Sequence, residues 1–192
     1  MRMLLTSTLA GLALGTAAIP ALATDYHIDP THTFASFEID HFGASMNHVR
    51  FDKVDGKISF DPDEKSGAAD ITIAVDSLNH GVAPFESHLK GDDMFDAAQY
   101  PNIRFVSDEF VFDGDQVSEV KGDLTIKGKT HPVTLKARQF NCYDSPMLKR
   151  EVCGGIFDAT VDRTQWGLDY GLDMVAGKDV RLVAQIEAAR GD

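Results

Sequence analysis

Residues 88–105, HLKGDDMFDAAQYPNIRF, are where the rhythm of this 192-residue chain breaks and then restarts. On either side apolar and polar residues alternate at every second position. Here the apolar positions fall at Leu89, Met94 and Phe95, a spacing that suits a short helix or a set of turns. Asp92 and Asp93 offer N-cap oxygens just ahead of Met94. Tyr100-Pro101 stops any helix, because the residue before a proline is pushed to extended geometry. Alternation returns at once with Ile103 and Phe105 on one face. Two structures fit this stretch: an apolar plug closing the open end of a barrel, or a helical crossover packed on a sheet as ordinary core.

Working outward, the chain is a series of short alternating segments separated by Gly, Asp, Asn and Pro, the pattern of an all-β antiparallel protein. Residues 33–42 place Ala35, Phe37, Ile39 and His41 on one face. Residues 56–61 place Ile58 and Phe60 together, and residues 69–75 place Ile71, Ile73 and Val75 together. After the break come 103–106, 110–112, 117–126, 133–140, 156–161 and 180–188, with Val180, Leu182, Ala184 and Ile186 facing one way in the last. About eight strands result, which close into a barrel or stack as a sandwich; a barrel of that size is filled by side chains or holds one slender ligand. Gly56, Gly122 and Gly155 fall near strand starts or bends, where a curling sheet tolerates them.

The first 23 residues read as a leader. Arg2 starts it, residues 4–19 are apolar and small, and Ala21-Leu22-Ala23 fits cleavage after Ala23. The apolar run is shorter than the roughly 20 residues a spanning helix needs, so the sequence predicts an exported protein without stable membrane insertion. Residues 24–192 then form one domain able to bury its own core. The net charge is −12, and losing Arg2 makes it one unit more negative. That sign excludes nucleic acid as a partner, since binding it requires Lys and Arg to neutralise phosphates. In an oxidising compartment Cys142 and Cys153 are expected to form a disulfide pinning a loop, on the order of 3 kcal/mol by the chain-entropy estimate.

Catalytic constellations are scarce. The chain has no G-x-S-x-G elbow, no H-E-x-x-H and no phosphate-cradling glycine loop. The seven histidines are scattered, with no i, i+4 metal pair; His27, His32 and His41 are free to meet in space, but nothing in the sequence demands it, and no metal site is predicted. His88 precedes Leu89 and stands four residues ahead of Asp92, so it either orients the polar end of an apolar ligand or merely pins the helical turn. In the run RTQWG, Trp166 is placed at the barrel mouth and Arg163 is expected to pair with an acid, or both serve structure alone.

Four blocks in order give the chain a resemblance to a known family: YHIDPTHTFASFEIDHFG (26–43), HLKGDDMFDAAQYPNIRF (88–105), GDLTIKGKTHPVTL (122–135) and GIFDATVDRTQWGL (155–168). It resembles the YceI family of exported, lipocalin-like, polyisoprenoid-binding barrels, although Phe85, Glu86 and Ser87 stand where the family often carries Arg or another polar residue before the His-Leu step. The resemblance implies an eight-stranded antiparallel barrel with a short helical crossover near residues 82–98. It also implies a periplasmic location, a homodimer as an available assembly, no catalytic residues and no cofactor. The implied ligand is a long isoprenoid, such as the chain of a quinone or polyprenol. Phe37, Ile39, Phe60, Ile71, Ile73, Phe105, Ile126 and Phe157 would enclose it, with His88, Leu89 and Phe95 from the crossover and Trp166 beside them. Each buried methylene contributes about 0.8 kcal/mol. Two other functions compete: a lipid-modifying enzyme using His88 and Asp92 as acid and base, and an interaction module for a membrane quinone oxidoreductase or cytochrome.

Overall fold

The computed structural model describes residues 23–172 and 174–191. Most of the expected leader, residues 1–22, lies outside them. Among the described residues eleven strands form one antiparallel sheet that closes on itself. They are β1 (Thr24–Ile28), β2 (Phe34–His41), β3 (Ser45–Phe51), β4 (Val54–Asp61), β5 (Ser66–Ala74), β6 (Leu78–Asn79), β7 (Asn102–Asp113), β8 (Gln116–Ile126), β9 (Lys129–Ser145), β10 (Arg150–Asp162) and β11 (Asp179–Arg190). A short helix, α1 (Ala83–Leu89), lies in the crossover between β6 and β7.

Eleven strands make eight staves because three staves are bent. β1 pairs with β4 and β2 with β3, so residues 24–61 form one long hairpin with a break in each arm. β5 and β6 are likewise one stave, interrupted by a 3-10 turn at Val75–Ser77. The barrel closes where β11 pairs with β10 on one side and with β1 and β2 on the other. Of the sandwich and the barrel that the alternation allowed, the molecule is the barrel.

Local chemistry explains the bends. Between β1 and β2, Asp29 accepts the Thr31 N–H and hydroxyl, an Asx-turn just before the chain re-enters the sheet. Thr33 is fully buried there, and its hydroxyl donates to the Glu187 carbonyl while accepting the Glu187 N–H. One side chain thus replaces the ladder bonds the break removes. Gly122 sits at a close approach of strands: a Cβ there would lie 2.3 Å from the Val106 carbonyl oxygen and 2.7 Å from the Phe105 ring.

Three local expectations need correction. The helix is α1, with Pro84 in its first turn, while Asp92 and Asp93 sit in the turns that follow and cap nothing helical. Residues 141–154 are not a loop. Either side of a tight turn at 146–149 they are paired strand, in which Cys142 and Cys153 stand directly opposite each other on β9 and β10, joined by a disulfide. β1 and β3 have no counterpart in the alternation read from the sequence.

Candidate functional site

The inward faces of the staves do not meet. They surround a cavity of about 480 Å³ whose lining is almost wholly apolar. That is within the range of roughly 300–1,000 Å³ typical of sites that enclose a small molecule. Its walls include Ile39, Ile58, Ile73, Leu135, Val161 and Leu182, which face inward yet remain only half-buried because they border open space. All twelve residues named from the sequence, Phe37, Ile39, Phe60, Ile71, Ile73, His88, Leu89, Phe95, Phe105, Ile126, Phe157 and Trp166, line this cavity.

One end is open. Lining residues His41 and Tyr170 are also exposed, so the cavity reaches the surface between the β2–β3 hairpin and the segment after β10. The crossover covers the same end. Leu89 and Phe95 are buried, and the Phe95 ring lies 5.8 Å from that of Phe37 and 5.7 Å from that of Phe51. Glu86 holds the start of α1 by accepting the N–H groups of His80 and Gly81, and these two donors keep its carboxyl below its ordinary value. The His88 ring meets Tyr170 edge-on at 4.6 Å, joining the crossover to the segment opposite.

That opposite segment, residues 167–172 and 174–178, is organised by Arg163. The side chain is 4% exposed and donates to the carbonyls of Leu168, Tyr170 (2.9 Å), Ala176 (3.3 Å) and Gly177 (2.9 Å). The expected acid is absent from these contacts. Burial pulls the guanidinium below its ordinary value, while Asp169 and Asp162 work in the other direction from a distance. Trp166 is 1% exposed and donates its indole N–H to the Leu124 carbonyl at 3.0 Å, so it is wall and not rim.

The far end is closed. Phe60 comes from β4 and is met edge-on by Tyr26 of β1 (6.2 Å) and by Phe140 of β9 (5.6 Å), and it stacks on Phe112 of β7 (6.0 Å). Four staves thus send a ring to one point. The Tyr26 hydroxyl turns away from the lumen to donate to Glu151, and burial, then that hydrogen bond, push its pKa upward. Cys153 lines the cavity at the same level as Ala188, its neighbour across the β10–β11 ladder.

The proposed acid–base pair is not assembled. His88 lines the cavity, but Asp92 and Asp93 are exposed and outside the lining, and Lys127 binds the Asp92 backbone carbonyl. His27 and His41 are at opposite ends of the barrel, the first beside Ala189 and the second beyond Val180 on the β11 ladder. His32 instead gathers with Asp29 and Glu187, close enough in space to hold an ion. His32 Nδ1 lies 2.9 Å from Asp29 and Glu187 accepts from Tyr143, and none of the three lines the cavity. Tyr26, Val49 and Phe51 are lining residues that the sequence reading missed. The only signal for them was a two-residue apolar spacing, Tyr26 to Ile28 and Val49 to Phe51.

Comparison with known proteins fits this geometry. The model of the YceI-like domain matches residues 26–188. A UPF0312 protein of Pseudomonas aeruginosa is 35% identical over 195 residues, covering 97% of this chain and 100% of that protein. A UPF0312 protein of Pseudomonas putida is 38% identical over 142 residues, covering 70% of this chain and 73% of that one. Among solved structures, Burkholderia cenocepacia BcnA superposes with a TM-score of 0.69 at 24% identity, covering 84% of this chain and 99% of that chain. A polyisoprenoid binding domain from Saccharophagus degradans superposes with a TM-score of 0.65 at 16% identity, covering 89% and 100%. At these identities the two structures speak for the fold alone.

Proposed function

The chain belongs to the YceI-like family, and on that premise we propose that it binds a long-chain isoprenoid lipid, a quinone or polyprenol, and stores or carries it in the periplasm after loss of residues 1–23. The observation that carries this reading is the lumen: about 480 Å³ with scarcely a polar atom on its walls. Water confined there finds few hydrogen-bond partners, whereas a chain of twenty carbons would gain about 16 kcal/mol at roughly 0.8 kcal/mol per methylene, against roughly 4–15 kcal/mol for immobilisation. The structural neighbour described as a polyisoprenoid binding domain adds support. Four polar lining groups, His41, Asn47, His88 and Tyr170, gather at the open end, which orients a lipid with its head outward, while the hydroxyls of Tyr26 and Ser36 and the guanidinium of Arg163 are already bonded within the protein. With Asp92 exposed, the acid–base pair an enzyme reading would use is not available to a chain in the lumen.

The test is to purify the protein from its host, extract it with organic solvent and identify the extract by mass spectrometry. Recovery of an isoprenoid in near-equal molar amount is expected. Protein that yields no lipid and also fails to take up quinone or polyprenol would overturn the reading.

A further inference from the structure

The open end carries apolar surface beyond what lines the lumen. Phe42 is 63% exposed and Met174 73%, Met46 and Val82 are exposed as well, and none of the four faces the cavity. Tyr170 is exposed and does line it. Together they form a collar drawn from three segments at the mouth: the β2–β3 tip, the start of α1 and the stretch after β10. The tip is built to present its ring. Asp40 accepts the Gly43 N–H at 2.7 Å and closes the turn, and Phe42 within it takes a positive φ of 56°. Bulky residues rarely adopt that conformation, and here it holds an aromatic ring outward against the edge of His41 at 4.7 Å.

The cargo limits what such a collar can meet. Each methylene left in water disfavours an isoprenoid by about fourfold, so a long chain does not reach the lumen by first dissolving. Phe42 directly follows the lining residue His41, and Tyr170 belongs to both surfaces, so the collar is continuous with the walls of the lumen. Among the described residues no helix is long and apolar enough to cross a membrane, which leaves contact at the surface. Charge then selects the kind of surface. Asp92, Asp93 and Asp169 stand exposed at this end. Lys90 and Lys127 donate to the carbonyls of Asp76 and Asp92, Lys178 pairs with Asp162, and Lys129 stands over Gly167. An acidic rim of this kind is repelled by anionic headgroups and tolerated by zwitterionic ones.

We propose that the collar docks the open end on a lipid bilayer with a zwitterionic surface. Phe42, Met46, Val82, Tyr170 and Met174 sink below the headgroups, and a lipid passes between membrane and lumen without crossing water. This rests on the isoprenoid-binding reading above and adds to it the phase that supplies or receives the cargo.

The experiment floats the mature protein with vesicles of phosphatidylcholine and phosphatidylethanolamine, and with the same mixture enriched in phosphatidylglycerol, at low and at high salt. Docking to the zwitterionic vesicles is expected at both salt concentrations, and the anionic lipid is expected to weaken it at low salt alone. Phe42→Ser and Met174→Ser should each lower the partition coefficient by about tenfold. Both residues lie outside the lining, so uptake of geranylgeraniol, added from ethanol and followed by the fluorescence of Trp166, the single tryptophan, should match the parent protein. Met147→Ser, on the exposed β9–β10 tip at the closed end, should change neither. Absence of vesicle binding, binding strengthened by the anionic lipid, or binding that survives loss of both Phe42 and Met174 overturns the docking face. So does a dimer of this chain that Phe42→Ser dissociates, because a second copy would then cover the collar. Each of these leaves the lumen's role intact where the prenyl alcohol still binds. Docking that persists in protein unable to take up the alcohol overturns the isoprenoid reading and keeps the face.

Discussion

At the floor of the lumen, rings from β1, β7 and β9 converge on Phe60 of β4, and every one of the four stands on a ladder-paired strand, Tyr26 and Phe60 with partners on both sides, Phe112 and Phe140 on one. At the mouth, the cover is α1, the turns after it and residues 167–172 and 174–178, segments outside the strand ladders. Their backbone bonds are local turns, and individual side chains tie them together: Arg163 reaching four carbonyls, Glu86 reaching two N–H groups and His88 resting on Tyr170. The floor is redundant and the mouth is not. A tube built this way keeps its closed end fixed while its entrance responds to single groups.

The comparison is most exposed to failure at Arg163. Its replacement by Ala leaves four carbonyls without their donor in a largely buried setting, and a loss of about 4 kcal/mol is expected, read as a lower denaturation midpoint. Hydrogen exchange should rise across residues 167–172 and 174–178 and remain slow at Phe60 and Val152; equal loss at both ends would show that they are one cooperative unit after all. Next comes the disulfide. Replacing Cys142 and Cys153 by Ser should cost about 3 kcal/mol by loop closure, and because the floor also rests on packed rings, the lumen should still take up a prenyl chain. A smaller effect, about 1.5 kcal/mol, is expected for Phe60→Leu, which keeps most of the volume but loses the ring contacts.

The smallest effects are those of pH, and they separate the two ends. Glu86 at the mouth has its carboxyl pKa lowered in the folded state, so its contribution is present above the ordinary carboxyl pKa and is lost as pH falls through the depressed one. Tyr26 at the floor is raised, so its contribution is complete below the ordinary tyrosine pKa of about 10 and is lost as pH climbs beyond it. Acid should therefore weaken the α1 anchor at the mouth, together with the likewise lowered Asp29, Asp70 and Asp162, and alkali the Tyr26 contact at the floor, together with the raised Tyr143. Glu86→Gln should lessen the slope of the acid limb of a stability–pH curve and Tyr26→Phe that of the alkaline limb, with neither variant touching the other limb.

Sequence legibility followed the same division. Strands with one face toward the lumen and one toward solvent alternate cleanly, so β5, β8 and β11 and their inward residues could be read directly. β3 could not, because all but three of its residues are exposed and its inward face shows only at Val49 and Phe51. The outer part of the β9–β10 hairpin, with Tyr143, Met147 and Leu148 exposed, lies beyond the core, loses the alternation and reads as loop. The crossover was placed correctly but its helix was not: Asp92 and Asp93 are good cap residues, and the actual start uses Pro84 and the reach of Glu86 instead. For Arg163 the structural alternative holds, yet its partners were hidden for a deeper reason. Its partners are main-chain oxygens of a segment that the arginine itself shapes, and such acceptors leave no mark in a list of residue types.

The position of β11 in the chain has a temporal consequence. It is the last barrel strand to be synthesised, yet it borders β10, β1 and β2, so Ile28 meets Ala188 across nearly the whole chain. Until the ribosome has released residues 179–190, the nascent sheet carries two raw edges and no lumen. Contacts of such long range also make ring closure a late and slow event. Barrel closure is thereby postponed until β11 has emerged, which leaves the earlier strands pliant while they wait for it.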